Sequence, residues 1–199
     1  GADSEKSLTT VSFEFMMKEN WRPPIFLSEQ EIQSRISELG AEITADYRDR
    51  AQSLVIVGVL KGSFLFMSDL ARQIDLPLTC DFLRVQSYGD RTESSGTVRF
   101  DFDTTQPVTD MDVILVEDII DTGITMDYLL ANFAARQPRS LSVCSLLHKP
   151  ARTLKEVSID YLGFTIPNHF VIGYGLDYEG RYRNLPYIAR VEDLAELVK

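Results

Sequence analysis

An open, mainly parallel α/β sheet flanked by helices is the fold class this sequence predicts, and three observations carry it. Short, continuous apolar runs rich in β-branched residues, Leu54-Val55-Ile56-Val57-Gly58-Val59 and Val113-Ile114-Leu115-Val116, suit strands covered on both faces. Helical patterns separate these runs, so strands alternate with helices along the chain. Carboxylates, glycines and lysines gather just after the apolar runs, and in such sheets ligands sit beyond the carboxyl ends of the strands.

The elements follow in order. Residues 1–20 read as a loosely ordered arm, ended by Trp21-Arg22-Pro23-Pro24, and residues 21–199 as a single domain. Ser28 followed by Glu31 forms a capping-box pattern that opens a helix. Ile32, Ile36, Leu39, Ile43 and Tyr47 then share one face, which carries that helix to about residue 50. The first apolar run is a strand. Ser63 to Gln73 reads as a helix and Cys80 to Gln86 as a strand. Tyr88 to Gly96 (YGDRTESSG) is polar and small between two strand-like segments; it is either a solvated hairpin loop or a mobile lid over the strand ends. The second apolar run is followed by a helix from about Thr125 to Arg136, a strand from Ser140 to Leu147 and a late strand from Phe170 to Tyr174.

Composition bounds the function. With 199 residues, 44% hydrophobic and 25% charged, the chain is globular and large enough to bury about 70% of its unfolded surface without a staple. The 30 acidic and 20 basic residues give a formal charge of −10, which argues against a nucleic-acid partner, since such affinity comes from basic patches. A local basic site for a phosphorylated metabolite remains compatible with that total. Cys80 and Cys144 each lie in an apolar run and are expected as buried thiols in a reducing compartment. No stretch of 18 apolar residues occurs and Gly1 to Thr10 is polar, so no membrane partner and a cytoplasmic location are expected.

The segment Glu117-Asp118-Ile119-Ile120-Asp121-Thr122-Gly123-Ile124-Thr125 holds most of the chemistry. A buried strand ends in two adjacent carboxylates, followed by a third and then by a turn of small residues opening a helix. Asp121 to Thr125 present backbone N–H groups and two hydroxyls at a helix N-terminus, a nest suited to a terminal phosphate. Gly123 permits a left-handed backbone and close ligand approach. Glu117 and Asp118 crowd like charge with no basic neighbour in sequence; vicinal hydroxyls and Mg²⁺ are the partners that relieve it. Taken singly, Asp121 or Thr122 reads equally well as a helix cap beside solvated carboxylates.

This string resembles the phosphoribosyl-diphosphate (PRPP) signature of type I phosphoribosyltransferases, and three further patches, in the same order as in that family, resemble its hypoxanthine-guanine branch. The resemblance implies a small hood built from both ends of the domain and a mobile lid beginning at Ser87-Tyr88. It implies that Glu117 and Asp118 hold the ribose hydroxyls and approach Mg²⁺. Asp121, Thr122, Gly123, Ile124 and Thr125 would cradle the 5′-phosphate, and Asp121 would also serve as the acid or base at the purine N7. Val59-Leu60-Lys61-Gly62-Ser63 resembles the diphosphate loop, with a cis peptide at Leu60-Lys61; alone, Lys61 and Gly62 read as a solvated lysine and a helix entry. In Leu146-Leu147-His148-Lys149-Pro150 the resemblance places Lys149 on the purine O6, where an ammonium donor favours 6-oxopurines over adenine. Phe170 would stack on the base, and the carbonyls of Val171 and Asp177 would accept from a guanine amino group. Asp177 would hold a second Mg²⁺ and Arg183 the diphosphate. Without that context Lys149 and Arg183 read as surface cations and Phe170 as core.

The implied substrates are PRPP with hypoxanthine or guanine, the implied cofactor is Mg²⁺, and a homodimer or homotetramer is expected. One position varies: Ile124 stands where some relatives carry a lysine. The competing reading is a non-catalytic PRPP-sensing regulator on the same fold. The strongly negative charge and the presence of Asp121, Lys149 and Asp177 together favour catalysis.

Overall fold

The computed structural model describes residues 21–88 and 97–192. The expected amino-terminal arm (residues 1–20) and the Gly89 to Gly96 part of the expected lid lie outside the described residues. The first helix, α1 (Glu29–Tyr47), begins as the capping box predicts: the Glu31 amide donates to Ser28 Oγ at 3.2 Å and the Ser28 amide to Glu31 Oε2 at 2.8 Å. Its buried stripe is the predicted one, Ile32, Ile36, Leu39, Ile43 and Tyr47. The α-helix stops at Tyr47, and a 3₁₀ turn, Arg48–Ser53, replaces its expected last turn.

Strands β1 (Leu54–Leu60), β2 (Thr79–Tyr88), β3 (Thr97–Phe102), β4 (Asp112–Ile120), β5 (Ser140–His148) and β6 (Tyr161–Thr165) form one sheet in the order β3-β2-β1-β4-β5-β6. All neighbours run parallel except β3, which pairs antiparallel with β2 through Tyr88 and Thr97. Helices α2 (Phe64–Gln73) and α3 (Ile124–Ala134) complete the alternation.

Strand alternation explains the two-sided core. On β1, Leu54 and Ile56 face α1 and α2, joining Phe66, Met67 and Leu70; Val55, Val57 and Val59 face α3, joining Met126, Leu129 and Phe133. Each such fully buried aliphatic side chain contributes about 1.5–3 kcal/mol. Gly40 on α1 lets the helix approach α2 closely, since a Cβ there would overlap the Gln73 backbone.

Three expectations are corrected. The late strand is not Phe170 to Tyr174: it shrinks to β7 (Val171–Ile172), which pairs with β8 (Ala189–Arg190) away from the main sheet, because Gly173, Tyr174 and Gly175 all take positive φ and turn the chain. The edge strand β6 went unanticipated, being short and interrupted by Gly163. That glycine is needed there because a Cβ would overlap the Leu146 carbonyl. Cys144 is buried, with burial pushing its thiol pKa up, but Cys80 is exposed. Alternation on β2 turns Asp81 and Leu83 inward and leaves Cys80 and Phe82 on the less covered face.

The two-stranded β7–β8 sheet sits over a small cluster of Ile172, Tyr182, Leu185, Tyr187 and Ala189, against which Trp21 packs. The Phe26 and Leu27 amides both donate to the Ile188 carbonyl, at 2.8 and 3.0 Å, so early and late parts of the described chain meet there. In the main sheet the connections reverse direction between β1 and β4. The carboxyl ends of these two adjacent strands therefore flank a crevice at the topological switch point.

Candidate active site

The crevice at that switch point is a cleft of about 340 Å³, lined on one side by Leu60, Lys61 and Gly62 and on the other by Glu117, Asp118 and Asp121 to Gly123. Thr125, Asp177 and Arg183 reach into the same space. The acidic pair belongs to the end of β4 itself, where the fully apolar core of the strand gives way. Burial, with the Asp118 charge beside it, pushes the Glu117 carboxyl well above the usual carboxylate range. Burial also raises Asp118, against the lowering effect of the Ile119 amide, which donates to Asp118 Oδ1 at 2.8 Å, and of the Arg183 charge. Two crowded carboxylates facing a polar cleft are prepared for hydroxyl donors or a cation.

Gly123 caps α3 at φ 81° without a side-chain cap of its own, and the Ile124 amide makes a long hydrogen bond to Thr122 Oγ1 at 3.5 Å. Thr122, Gly123 and Thr125 line the cleft at this helix N-terminus, where the positive end of the helix dipole favours an anion. The turn is braced from the far side: the Leu154 and Lys155 amides both donate to the Thr122 carbonyl at 2.9 Å. A Cβ on Gly123 would overlap the Lys155 carbonyl, so only glycine fits between nest and brace.

Opposite the nest, the Leu60-Lys61 peptide is cis, as the sequence resemblance implies. The buried Ser63 hydroxyl donates to the Val59 carbonyl at 2.7 Å and closes this loop against β1. A Cβ on Gly62 would overlap the Asp118 carboxylate, which ties the loop to the acidic pair.

A second cleft of about 200 Å³ adjoins the first, sharing Asp118, Ile119, Asp121 and Asp177 with it. Lys149, Phe170 and Val171 line it. Lys149 is only 6% exposed, and its amide donates to the Ile120 carbonyl at 3.0 Å, holding the end of β5 beside the acidic segment. Burial pushes its ammonium pKa down, the Arg152 cation adds to this, and the Asp121 charge opposes it. Phe170, 53% exposed, offers a ring edge-on to Tyr178, with centroids 5.9 Å apart. Asp121 stands where the clefts join. Its Oδ1 is shielded from solvent and lies 3.1 Å from Arg152 Nε, outside hydrogen-bonding direction, so it carries charge compensation without a directed donor.

Residues 26–179 match the phosphoribosyl transferase domain. The chain belongs to the phosphoribosyl transferase family. It is 49% identical over 172 residues to a hypoxanthine-guanine phosphoribosyltransferase of Mycobacterium avium, covering 84% of this chain and 85% of that one. To the hypoxanthine phosphoribosyltransferase of Escherichia coli K12 it is 42% identical over 167 residues, covering 84% and 94%. A crystal structure of a hypoxanthine phosphoribosyltransferase from Staphylococcus aureus superposes with a TM-score of 0.80 at 44% identity, covering 84% of this chain and 90% of that one.

Most of the residues singled out from sequence line the two clefts. Ile124 does not; its side chain starts α3 outside them. Ser87 and Tyr88 lie at the end of β2, paired with Val98 and Thr97. Arg152 was missed by sequence reasoning, although a cation in the proline-led turn after Lys149 was a signal to follow. Ile119, which lines both clefts, was read only as filler between carboxylates.

The fit to Mg²⁺ rests on the crowded Glu117 and Asp118 carboxylates at the cleft, both with pKa raised by burial. Among the described residues no group of three His, Cys, Asp or Glu side chains is disposed to hold a metal unaided. Asp177 already has both oxygens engaged, Oδ1 with Arg183 at 2.8 Å and Oδ2 with the Gly180 amide at 2.8 Å. Such a set suits a hard cation that keeps waters and completes its shell with substrate oxygens.

Proposed function

We propose that this phosphoribosyl transferase moves the 5-phosphoribosyl group of PRPP to N9 of hypoxanthine or guanine, giving IMP or GMP and diphosphate in purine salvage. The observation that carries the purine choice is the buried Lys149 ammonium in the second cleft. A fixed donor pairs with a 6-oxo group and meets a like donor on adenine. The names of the mycobacterial and enterobacterial relatives agree.

In this reading residues 21–199 work as one domain. Glu117 and Asp118 accept from the ribose hydroxyls and fix C1′ at the junction of the clefts. The amides of Thr122 to Thr125 hold the 5′-phosphate, while Ile124 contributes its backbone alone. Lys61, Gly62 and Arg183 hold the diphosphate. Phe170 stacks on the base, Lys149 bonds O6, and the carbonyls of Val171 and Asp177 accept from the guanine amino group. The N9 lone pair bonds to C1′ as the C1′–oxygen bond breaks and diphosphate leaves with that electron pair. Asp121 takes the proton from N7. Glu117, Asp118 and Asp177 would hold Mg²⁺, which would supply charge neutralisation to the diphosphate. Positioning and preset electrostatics account for the rate. The loop beginning at Ser87-Tyr88 acts as the lid that excludes water.

The protein is read as a cytoplasmic homodimer or homotetramer. No helix among the described residues is long and apolar enough to cross a membrane. The test is steady-state turnover by absorbance with PRPP and Mg²⁺ against hypoxanthine, guanine and adenine. Turnover of both 6-oxopurines far above adenine is expected; turnover of adenine at a similar rate, or of none of the three, overturns the reading.

A further inference from the structure

A polar cluster outside both clefts ties the Gly173 to Gly175 turn (the hood turn) to helices α1 and α2. Tyr174, 4% exposed, donates its hydroxyl to Asp69 Oδ2 on α2. Gln33 on α1 donates to the same oxygen at 2.9 Å, and Arg72 pairs with the other. Burial first, then the adjoining Asp69 carboxylate, hold the phenol well above its ordinary pKa, so it stays a donor. Tyr174 has φ 48°, between Gly173 at 93° and Gly175 at 96°. A left-handed tyrosine is unfavourable by itself; here the turn is held by backbone bonds, the Tyr174 amide donating to the Leu185 carbonyl at 2.9 Å, and by the side-chain contact to Asp69.

What this turn carries connects it to the diphosphate loop. A Cβ on Gly175 would overlap the Gly62 carbonyl, so the hood turn lies directly on that loop. Arg183 Nη1 donates to the Gly175 carbonyl at 2.6 Å, the Gly175 amide donates to the Arg183 carbonyl at 3.0 Å, and Arg183 pairs with Asp177. Tyr174 therefore sits one residue from Gly175, which contacts both Gly62 and Arg183, and lines neither cleft.

We propose that Tyr174 and Asp69 are positioning residues for the diphosphate side of the site, their hydrogen bond fixing the seat of the hood turn on Gly62. The proposal rests on the phosphoribosyl-transfer reading for its substrate, but inorganic diphosphate alone is enough to probe it. Tyr174→Phe keeps the ring and removes the donor. Its KM for PRPP should rise about 10-fold, the worth of one hydrogen bond to a charged group, with the hypoxanthine KM within about twofold. Asp69→Ala should do the same, and Asp69→Asn, which retains an acceptor oxygen, should recover most of the loss. Calorimetry with inorganic diphosphate and Mg²⁺ should show the same weakening for Tyr174→Phe, even in a protein that transfers nothing. A diphosphate affinity unchanged in Tyr174→Phe overturns the proposal, as does an equal rise in both KM values or an Asp69→Asn no better than Asp69→Ala. Absence of turnover in the unmodified protein would instead count against the transfer reading, leaving the calorimetric arm to decide this one. If Tyr174→Phe does not fold, Asp69→Asn against Asp69→Ala reads the same contact.

Discussion

The Asp118 carboxylate lies against the Cα of Gly62, in the space a side chain at that position would fill. The carboxyl end of β4, which carries the acidic pair, is thereby locked to the loop after the adjacent parallel strand β1, which carries Lys61. Gly62→Ala should push the carboxylate aside while the core of the fold is untouched. A displacement of this size at a positioning group costs about 10²-fold in kcat/KM. Kinetics with PRPP as the varied substrate, alongside a melting curve close to that of the unmodified protein, would check this.

Asp121→Asn should leave both clefts in shape and remove the group assigned to the N7 proton. Turnover is expected to fall about 10²–10⁴-fold, the usual range for loss of a general acid or base. Single-turnover measurements at saturating PRPP and hypoxanthine are the check, and unchanged turnover would remove the role.

Lys149 leads to a prediction on pH. Burial lowers its pKa below the ordinary 10.5. The ammonium that donates to a 6-oxo group is present below the folded pKa and is lost as pH rises through it. The KM for hypoxanthine should therefore begin to climb at a lower alkaline pH than an exposed lysine would give, and Lys149→Met should flatten that limb. Lys149→Ala should also erode the preference over adenine more than it weakens PRPP binding. Equal losses on both substrates would contradict the assignment.

These predictions draw unequally on the sequence. The capping box of Ser28 and Glu31, the apolar runs of β1 and β4 and the acid-tipped turn are local patterns, legible because the residues that interact are close in sequence. Lys149 and Phe170 could be singled out only through resemblance, since a strand-end lysine and a strand phenylalanine have ordinary readings. The approach of Gly62 to Asp118 and of Gly175 to Gly62 depends on which strands become neighbours, and no short-range pattern carries that. Tyr174 and Asp69 were invisible for the same reason. Arg152 faces Asp121 only because the 3₁₀ turn Pro150–Arg152 folds back over the strand ends. Cys80 was misjudged because an apolar run does not reveal which face of an outer strand is covered.

Asp112, at the start of β4, yields a stability prediction. Its side chain is fully enclosed, accepting from Ser140 Oγ at 2.6 Å and from Arg139. Burial alone would raise its pKa, but the Arg139 and Ser140 donors outweigh this and hold it below 3.8. A carboxyl lowered by folding stabilises the native state above its unfolded pKa and ceases to do so as pH falls through the folded value. Asp112→Asn should therefore cost about 1.5–3 kcal/mol near neutrality, the worth of hydrogen bonds to a charged group, and the difference from the unmodified protein should shrink below about pH 4. Urea unfolding at pH 7 and pH 3.5 measures both.

A crystal grown with IMP tests most directly whether the acid-tipped turn is a ribose-phosphate cradle. The predicted density has the phosphate on the amides of Thr122 to Thr125, the ribose hydroxyls on Glu117 and Asp118, and the base between Phe170 and Lys149. Nucleotide bound at any other place on the molecule, with that turn free of phosphate, would contradict it.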